Sequence, residues 1–285
     1  MVPKKGTFRK TLLFMKNENL NMNLSNWIEE QQARGKRAFS LRQIDKDFPS
    51  ISDIAIKRSL TRLSRKNKVV SIHKGYYLVI PPQYAAKGIL PPAIFIDGLM
   101  KFLERPYYVG LASAAAFHGA AHQQPQEFFV FTTFPTLRST TKKGIKINYI
   151  SKKILPPHLI QDVKTESGYL KVSSPSLTAV DLIQFEKRVG GMNRVATILN
   201  ELAETIEPDS FPRLVAEMPT AGIQRLGYLL DSLEYTALAD QLFDVCLEKK
   251  CDFFRIPLKS SVSIKGYSSD NRWKVIVNMD IEIDE

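Results

Sequence analysis

Between Ser25 and Ile80 the chain sets three helix starts and one hairpin in close succession, an order that few folds accept in so short a span. Ser25 is placed to cap a helix opening Asn26-Trp27-Ile28, which Gly35 ends. Ser40-Leu41-Arg42-Gln43 is an S-x-x-Q capping box, in which a hydroxyl and an amide satisfy free backbone N–H groups reciprocally. The helix it opens stops before Pro49. After a short turn Ser52 caps a third helix, predicted from Asp53 to Lys66. Val69 to Ile80 then gives two β-rich runs around a turn containing Gly75, a hairpin signal.

The third helix separates by angle. At about 100° per residue, Ile56, Leu60 and Leu63 fall on one stripe and face a core. The opposite face carries Ile54, Lys57, Arg58, Thr61, Arg62 and Arg65, four cations with no acid among them. Charge along the chain follows the same division. Residues 1–90 hold 18 Lys/Arg against 6 Asp/Glu, whereas the remainder holds 22 against 23. A basic segment joined to a neutral body suits a polyanion-binding module attached to something with another task. Two short helices, a tight turn, a basic third helix and a hairpin make a winged helix-turn-helix, predicted over residues 22–80. Arginine binds guanine bidentately, a hydroxyl serves base or phosphate, and a branched aliphatic touches a thymine methyl. The predicted DNA contacts are therefore Arg42, Ser52, Ile54, Lys57, Arg58, Thr61, Arg62 and Arg65, with His73 and Lys74 at the hairpin tip. His73 reads equally well as an ordinary turn residue.

Residues 1–21 read as a basic, flexible extension. Pro81-Pro82 and Pro91-Pro92 break the pattern, so a linker is expected at 81–92 and a second domain at 93–285. That body alternates strand and helix text. Phe128 to Thr133 and Ile145 to Ile150 look extended, with a Lys142-Lys143-Gly144 turn between them, and Tyr169 to Val172 is a further strand. Ser174-Pro175 opens a helix, and four more follow from Met192 to Lys249. Trp273 to Ile283 alternates like a half-buried strand. The fold class is α+β: a winged helix-turn-helix followed by a larger mixed α/β domain with a helical C-terminal portion.

Chemistry is sparse in the body. His118 and His122 share metal-ligand spacing, but Gly119 interrupts them and no third ligand stands near, so no metal is expected. Ser113 lacks the frame of a nucleophile elbow, and Gly190-Gly191 lacks the Gly-Lys-Ser/Thr of a phosphate loop. Asp181, Glu186 and Lys187 suggest an acid–lysine set, yet such charges on a helix are usually solvated. The expectation is a non-enzyme without cofactors. Cys246 and Cys251, five apart on one predicted helix, point about 140° from each other and read as free thiols in a reducing cytoplasm.

The segment Tyr107-Tyr-Val-Gly-Leu-Ala-Ser-Ala-Ala-Ala-Phe-His-Gly-Ala-Ala-His-Gln-Gln-Pro125 resembles the hallmark of the AbiEi antitoxins of type IV, abortive-infection toxin–antitoxin systems. Ser174 to Asp181, Gly190-Gly191, Gln224 to Asp231 and Arg272-Trp273 through Asn278 are similar to further family text. The resemblance implies an autorepressor whose winged helix binds inverted repeats in its own promoter. It also implies an antitoxin body, active in phage defence, that counteracts a nucleotidyltransferase-like toxin without requiring a stable complex. The alternative is a winged-helix transcription factor whose body senses a ligand or protein, with no toxin partner.

Overall fold

A computed structural model describes residues 24–120 and 127–283, which divide into two compact units. One comprises the described residues up to Arg105 with Thr140–Ile145 and Thr165–Gly168; the other holds the remainder. The division falls at Arg105/Pro106, not within the stretch 81–92 that the prolines suggested. Pro91 and Pro92 start a helix here instead of a linker, because proline at the first helical position forfeits no intrahelical bond. Ile89 and Leu90 are buried just before it.

In the first unit, helix α1 covers residues 24–33 and is closed by Gly35 at φ +75°. The helix already includes residue 24, so Ser25 is not its cap. Its hydroxyl instead accepts from Lys68 Nζ at 3.3 Å. Strand β1 (Ala38–Ser40) leads into α2 (Leu41–Asp47), capped by the reciprocal Ser40–Gln43 bonds that the sequence announced. Helix α3 (Asp53–Arg65) takes its cap from Ser52. It ends where Asn67 turns left-handed at φ 54° and the Lys68 N–H reaches back to the Leu63 carbonyl. Strands β2 (Val69–His73) and β3 (Tyr76–Val79) form the hairpin, and the sheet order is β1-β3-β2. Leu24, Ile28, Phe39, Ile44, Ile56, Leu60, Leu63, Val69 and Val79 make its core. Each fully buried aliphatic there contributes roughly 1.5–3 kcal/mol. Helix α4 (Pro92–Phe102) packs on β1 and β3, with Phe102 against the Tyr76 ring at 5.1 Å.

The second unit is built on β4 (Tyr107–Val109), β5 (Glu127–Thr133), β7 (Ile145–Lys152), β8 (Ile160–Thr165) and β9 (Gly168–Ser173). Strand β6 (Thr140–Lys142) falls in the first unit, and the others are ordered β7-β5-β4-β9-β8. Strands β5 and β7 pair in parallel, Val130 opposite Tyr149, so the Lys143-Gly144 turn does not join them as neighbours in a hairpin. Helix α5 (Leu111–Phe117) follows β4. Helices α6 (Pro175–Gln184), α7 (Met192–Leu202), α8 (Phe211–Glu217), α9 (Thr220–Ser232) and α10 (Thr236–Glu248) supply the helical portion, and Leu177, Val195, Leu199, Leu226 and Leu230 belong to one continuous core.

Two sequence expectations change in this unit. The closing text forms only β11 (Val275–Ile276), parallel to β10 (Ile256–Pro257), because Lys274 takes a left-handed φ of 53° and Trp273 is drawn into the core. The two cysteines do not point apart. Helix α10 ends before Cys251, Lys250 is left-handed at φ 54°, and the Cys251 N–H returns to the Cys246 carbonyl at 2.9 Å. That turn brings the thiols within reach of each other; both are free, and burial, then Cys251, pushes the Cys246 thiol up to about 12.

Candidate nucleic-acid interface and the buried pins of the second unit

The two faces of α3 separate as their angles predicted. Ile56, Ser59, Leu60 and Leu63 are buried. Ile54, Lys57, Arg58, Thr61, Arg62 and Arg65 are exposed, Ile54 to 64%, an unusual position for a large aliphatic with no one to cover it. Thr61 Oγ1 donates to the Lys57 carbonyl at 2.8 Å, which leaves its oxygen lone pairs outward. Among the described residues, Lys57, Arg58, Arg62 and Arg65 enter no ion pair, so their charge is uncompensated on this face. Arg42 is exposed on α2, and Ser52 is committed to capping the Ala55 N–H at 3.4 Å.

The hairpin tip is less free than a reaching wing would be. The Gly75 carbonyl accepts from the Leu41 N–H at 2.9 Å, His73 Nδ1 donates to the Lys74 carbonyl at 3.3 Å, and the His73 ring lies edge-on to Phe102 at 6.4 Å. Lys74 remains exposed. Two further cations, Lys66 and Lys68, stand outside the predicted contact set. A cavity of about 330 Å³ at the end of α3 is lined by Arg62, Arg65, Lys66 and Lys68 with Ser25. Lys68 is paired with Glu29 at 2.8 Å, and that hydrogen bond, then the charge behind it, holds the Glu29 carboxyl below its usual range. The run Arg65-Lys66-Asn67-Lys68 was the available signal.

In the second unit the chemistry-bearing residues turn inward. Asp181 is not a solvated helix charge: it is fully buried, accepting from Lys152 Nζ at 2.5 Å and Tyr108 Oη at 2.7 Å. The Lys152 ammonium sits over the rings of Phe131, Tyr108 and Phe185 at 4.7, 5.5 and 5.9 Å. Burial pushes the Asp181 carboxyl up, opposed by Lys152 and Tyr108, and burial with the Asp181 charge pushes the Tyr108 phenol far up. Ser113 accepts from the Phe129 N–H at 3.0 Å and donates to the Glu127 carbonyl at 3.3 Å, so its hydroxyl is consumed in fixing β5. Gly110 meets Phe131 where a Cβ would fall at 2.5 Å. His118 Nε2 donates to the Ser173 carbonyl at 2.7 Å, and burial holds its pKa below 6.5. His122 lies outside the described residues, among which no group of three or more metal-ligating side chains gathers.

The segments near the C-terminus are pins of the same kind. Gly227 lets the Trp273 indole lie on α9, for a Cβ there would stand 2.3 Å from the ring. Asp231 accepts from Trp273 Nε1 at 2.7 Å and from Arg272 at 3.3 Å, while Gln224 Nε2 donates to the Trp273 and Phe254 carbonyls. Asn278 Nδ2 donates to the carbonyls of Lys259 and Val262, both at 2.9 Å.

The fold and these sites define a two-unit α+β protein, one unit carrying a bare basic helix face and the other a sheet-and-helix body locked by buried polar pairs. Residues 108–232 match the model of the AbiEi antitoxin C-terminal domain, a match that supports an AbiEi family antitoxin. The match supports an antitoxin role in a toxin–antitoxin system. A comparison with curated proteins found no match. Among solved structures the chain is similar to the crystal structure of the RV2827C protein from Mycobacterium tuberculosis, with 16% identity and a TM-score of 0.61. The similarity covers 88% of this chain and 90% of that one, and it speaks for a shared fold alone. No helix among the described residues is long and apolar enough to cross a membrane.

Proposed function

We propose that this chain is the antitoxin and autorepressor of a toxin–antitoxin operon, counteracting a nucleotidyltransferase-like toxin. In this reading the first unit is a winged helix-turn-helix with α3 as recognition helix, and it represses the chain's own promoter at inverted repeats. The observation that carries the DNA half is the outward face of α3, with four cations unpaired among the described residues and one exposed isoleucine. An amphipathic helix that needs only to be wetted gains nothing from excluding every acid from its outer face; a helix lying in a major groove does. The family match over residues 108–232 carries the antitoxin half.

A gel-shift titration against the upstream promoter tests the DNA half. Arg58→Ala and Arg62→Ala are each expected to weaken binding by about 1–3 kcal/mol, roughly 5- to 150-fold. Wild-type affinity in both would remove α3 from the interface. Co-expression with the product of the neighbouring gene tests the other half, with rescue of growth as the expected result.

A further inference from the structure

A second basic recess lies wholly within the second unit. It is a cavity of about 470 Å³ between the end of α6, the start of α7, α9 and the segment Leu258–Ser260. Its size falls within the range of small-molecule sites, about 300–1,000 Å³. Ile183, Met192 and Leu258 give it a buried apolar floor, with Phe185 half-buried beside them. Arg225, Lys187, Arg188 and Lys259 stand around it, against the single acid Glu186, and Glu127 acts electrostatically on Arg188.

Arg225 is the informative residue. It is half-buried, and its guanidinium is aimed by two hydrogen bonds, Nε to the Pro257 carbonyl at 2.9 Å and Nη2 to Ser260 Oγ at 3.4 Å. Both partners are neutral, and among the described residues no carboxylate pairs with it. Burial alone drags its pKa below the usual arginine value. A cation withdrawn from water without a counter-charge is costly unless an anion completes the site. The guanidinium fork fits a phosphate, which it binds bidentately with the donors left over. We infer that this cavity binds a small phosphorylated ligand of nucleotide size, its phosphate held by Arg225 and Lys259 and its apolar body resting on the floor beside Phe185. The site's residues all belong to the second unit, whereas α3 belongs to the first.

The test is calorimetric titration of the full chain with ATP, pyrophosphate and adenosine. ATP is expected to bind saturably at one site, pyrophosphate to compete with it, and adenosine to bind far more weakly. Arg225→Gln should weaken ATP at least tenfold, while the double variant Lys57→Ala/Arg58→Ala, which alters only α3, should bind it as the wild type does. Absence of saturable binding, full affinity in Arg225→Gln, or loss in the α3 variant would overturn the assignment. Should Arg225→Gln fail to fold, Lys259→Met replaces it, because Asn278 holds that residue through its backbone alone. A weaker ATP affinity in Lys259→Met supports the site, and an unchanged one refutes it.

Discussion

Single residues in the second unit show how a motif made of small and polar side chains can serve packing. Gly227 is the clearest case, since its missing Cβ is the space occupied by the Trp273 indole. Gly227→Ala must displace either a helix backbone or a fully buried tryptophan, and we expect a loss of about 3 kcal/mol, at the upper end of overpacking costs. Urea unfolding monitored by tryptophan fluorescence would show it. His118 gives a pH dependence whose sign follows from its environment. Its folded pKa is held below 6.5 by burial, so as pH falls through 6.5 the unfolded chain takes up the proton first. The stability associated with the neutral ring is complete above that pH and is lost below it. The urea midpoint should therefore drop between pH 7 and pH 5, and drop less in His118→Gln. An equal drop in both proteins would assign the effect elsewhere.

At the scale of elements, Lys152 and Asp181 join β7 to α6, with Tyr108 bringing in β4. Lys152→Met leaves a buried carboxylate without its partner, and thermal or urea unfolding should register a loss of about 3–5 kcal/mol. Adding Asp181→Leu removes the stranded charge and should restore much of that loss. If the double variant is as unstable as the single, the pair is not what the lysine was stabilising. In the first unit, α3 and the hairpin tip make different promises. The tip is tied back through Gly75 and the His73–Phe102 contact, so Lys74→Ala should weaken promoter binding less than Arg62→Ala in the same gel shift.

Over the whole molecule, the two proposed roles fall on different stretches of chain. The family match spans residues 108–232, whereas the basic face of α3 ends at Arg65. The variant Arg58→Ala/Arg62→Ala should therefore lose promoter binding yet still rescue growth when produced with the toxin. Loss of both would tie antitoxicity to DNA binding. Promoter affinity of the wild type should fall steeply with salt, with a log–log slope of about −5 to −7 if roughly six to eight phosphates are neutralised.

Local physical chemistry made the first unit legible. Caps, the Gly75 turn and the 3.6-residue stripe of α3 act within a few residues of one another, so Ser40, Ser52, Ile56, Leu60 and Leu63 stand where their spacing put them. The charge split likewise needs only counting. Ser25 was misread because a good capping residue is equally good as a partner for a distant lysine, and only the fold brings Lys68 to it. The same limit hid the second unit. Asp181 reads as a surface charge until β7 delivers Lys152. Cys246 and Cys251 diverge on an ideal helix until Lys250 reverses the chain. Trp273 to Ile283 alternates like a strand, yet the space above Gly227 draws the indole in and ends the pattern. The sequence by itself determined α2, α3 and the β2–β3 hairpin, the caps Ser40 and Ser52 and the basic face of α3, because those follow from neighbours along the chain. Tertiary structure alone decided which charges are buried and where Arg225 stands without a counter-ion, because those depend on residues tens of positions away.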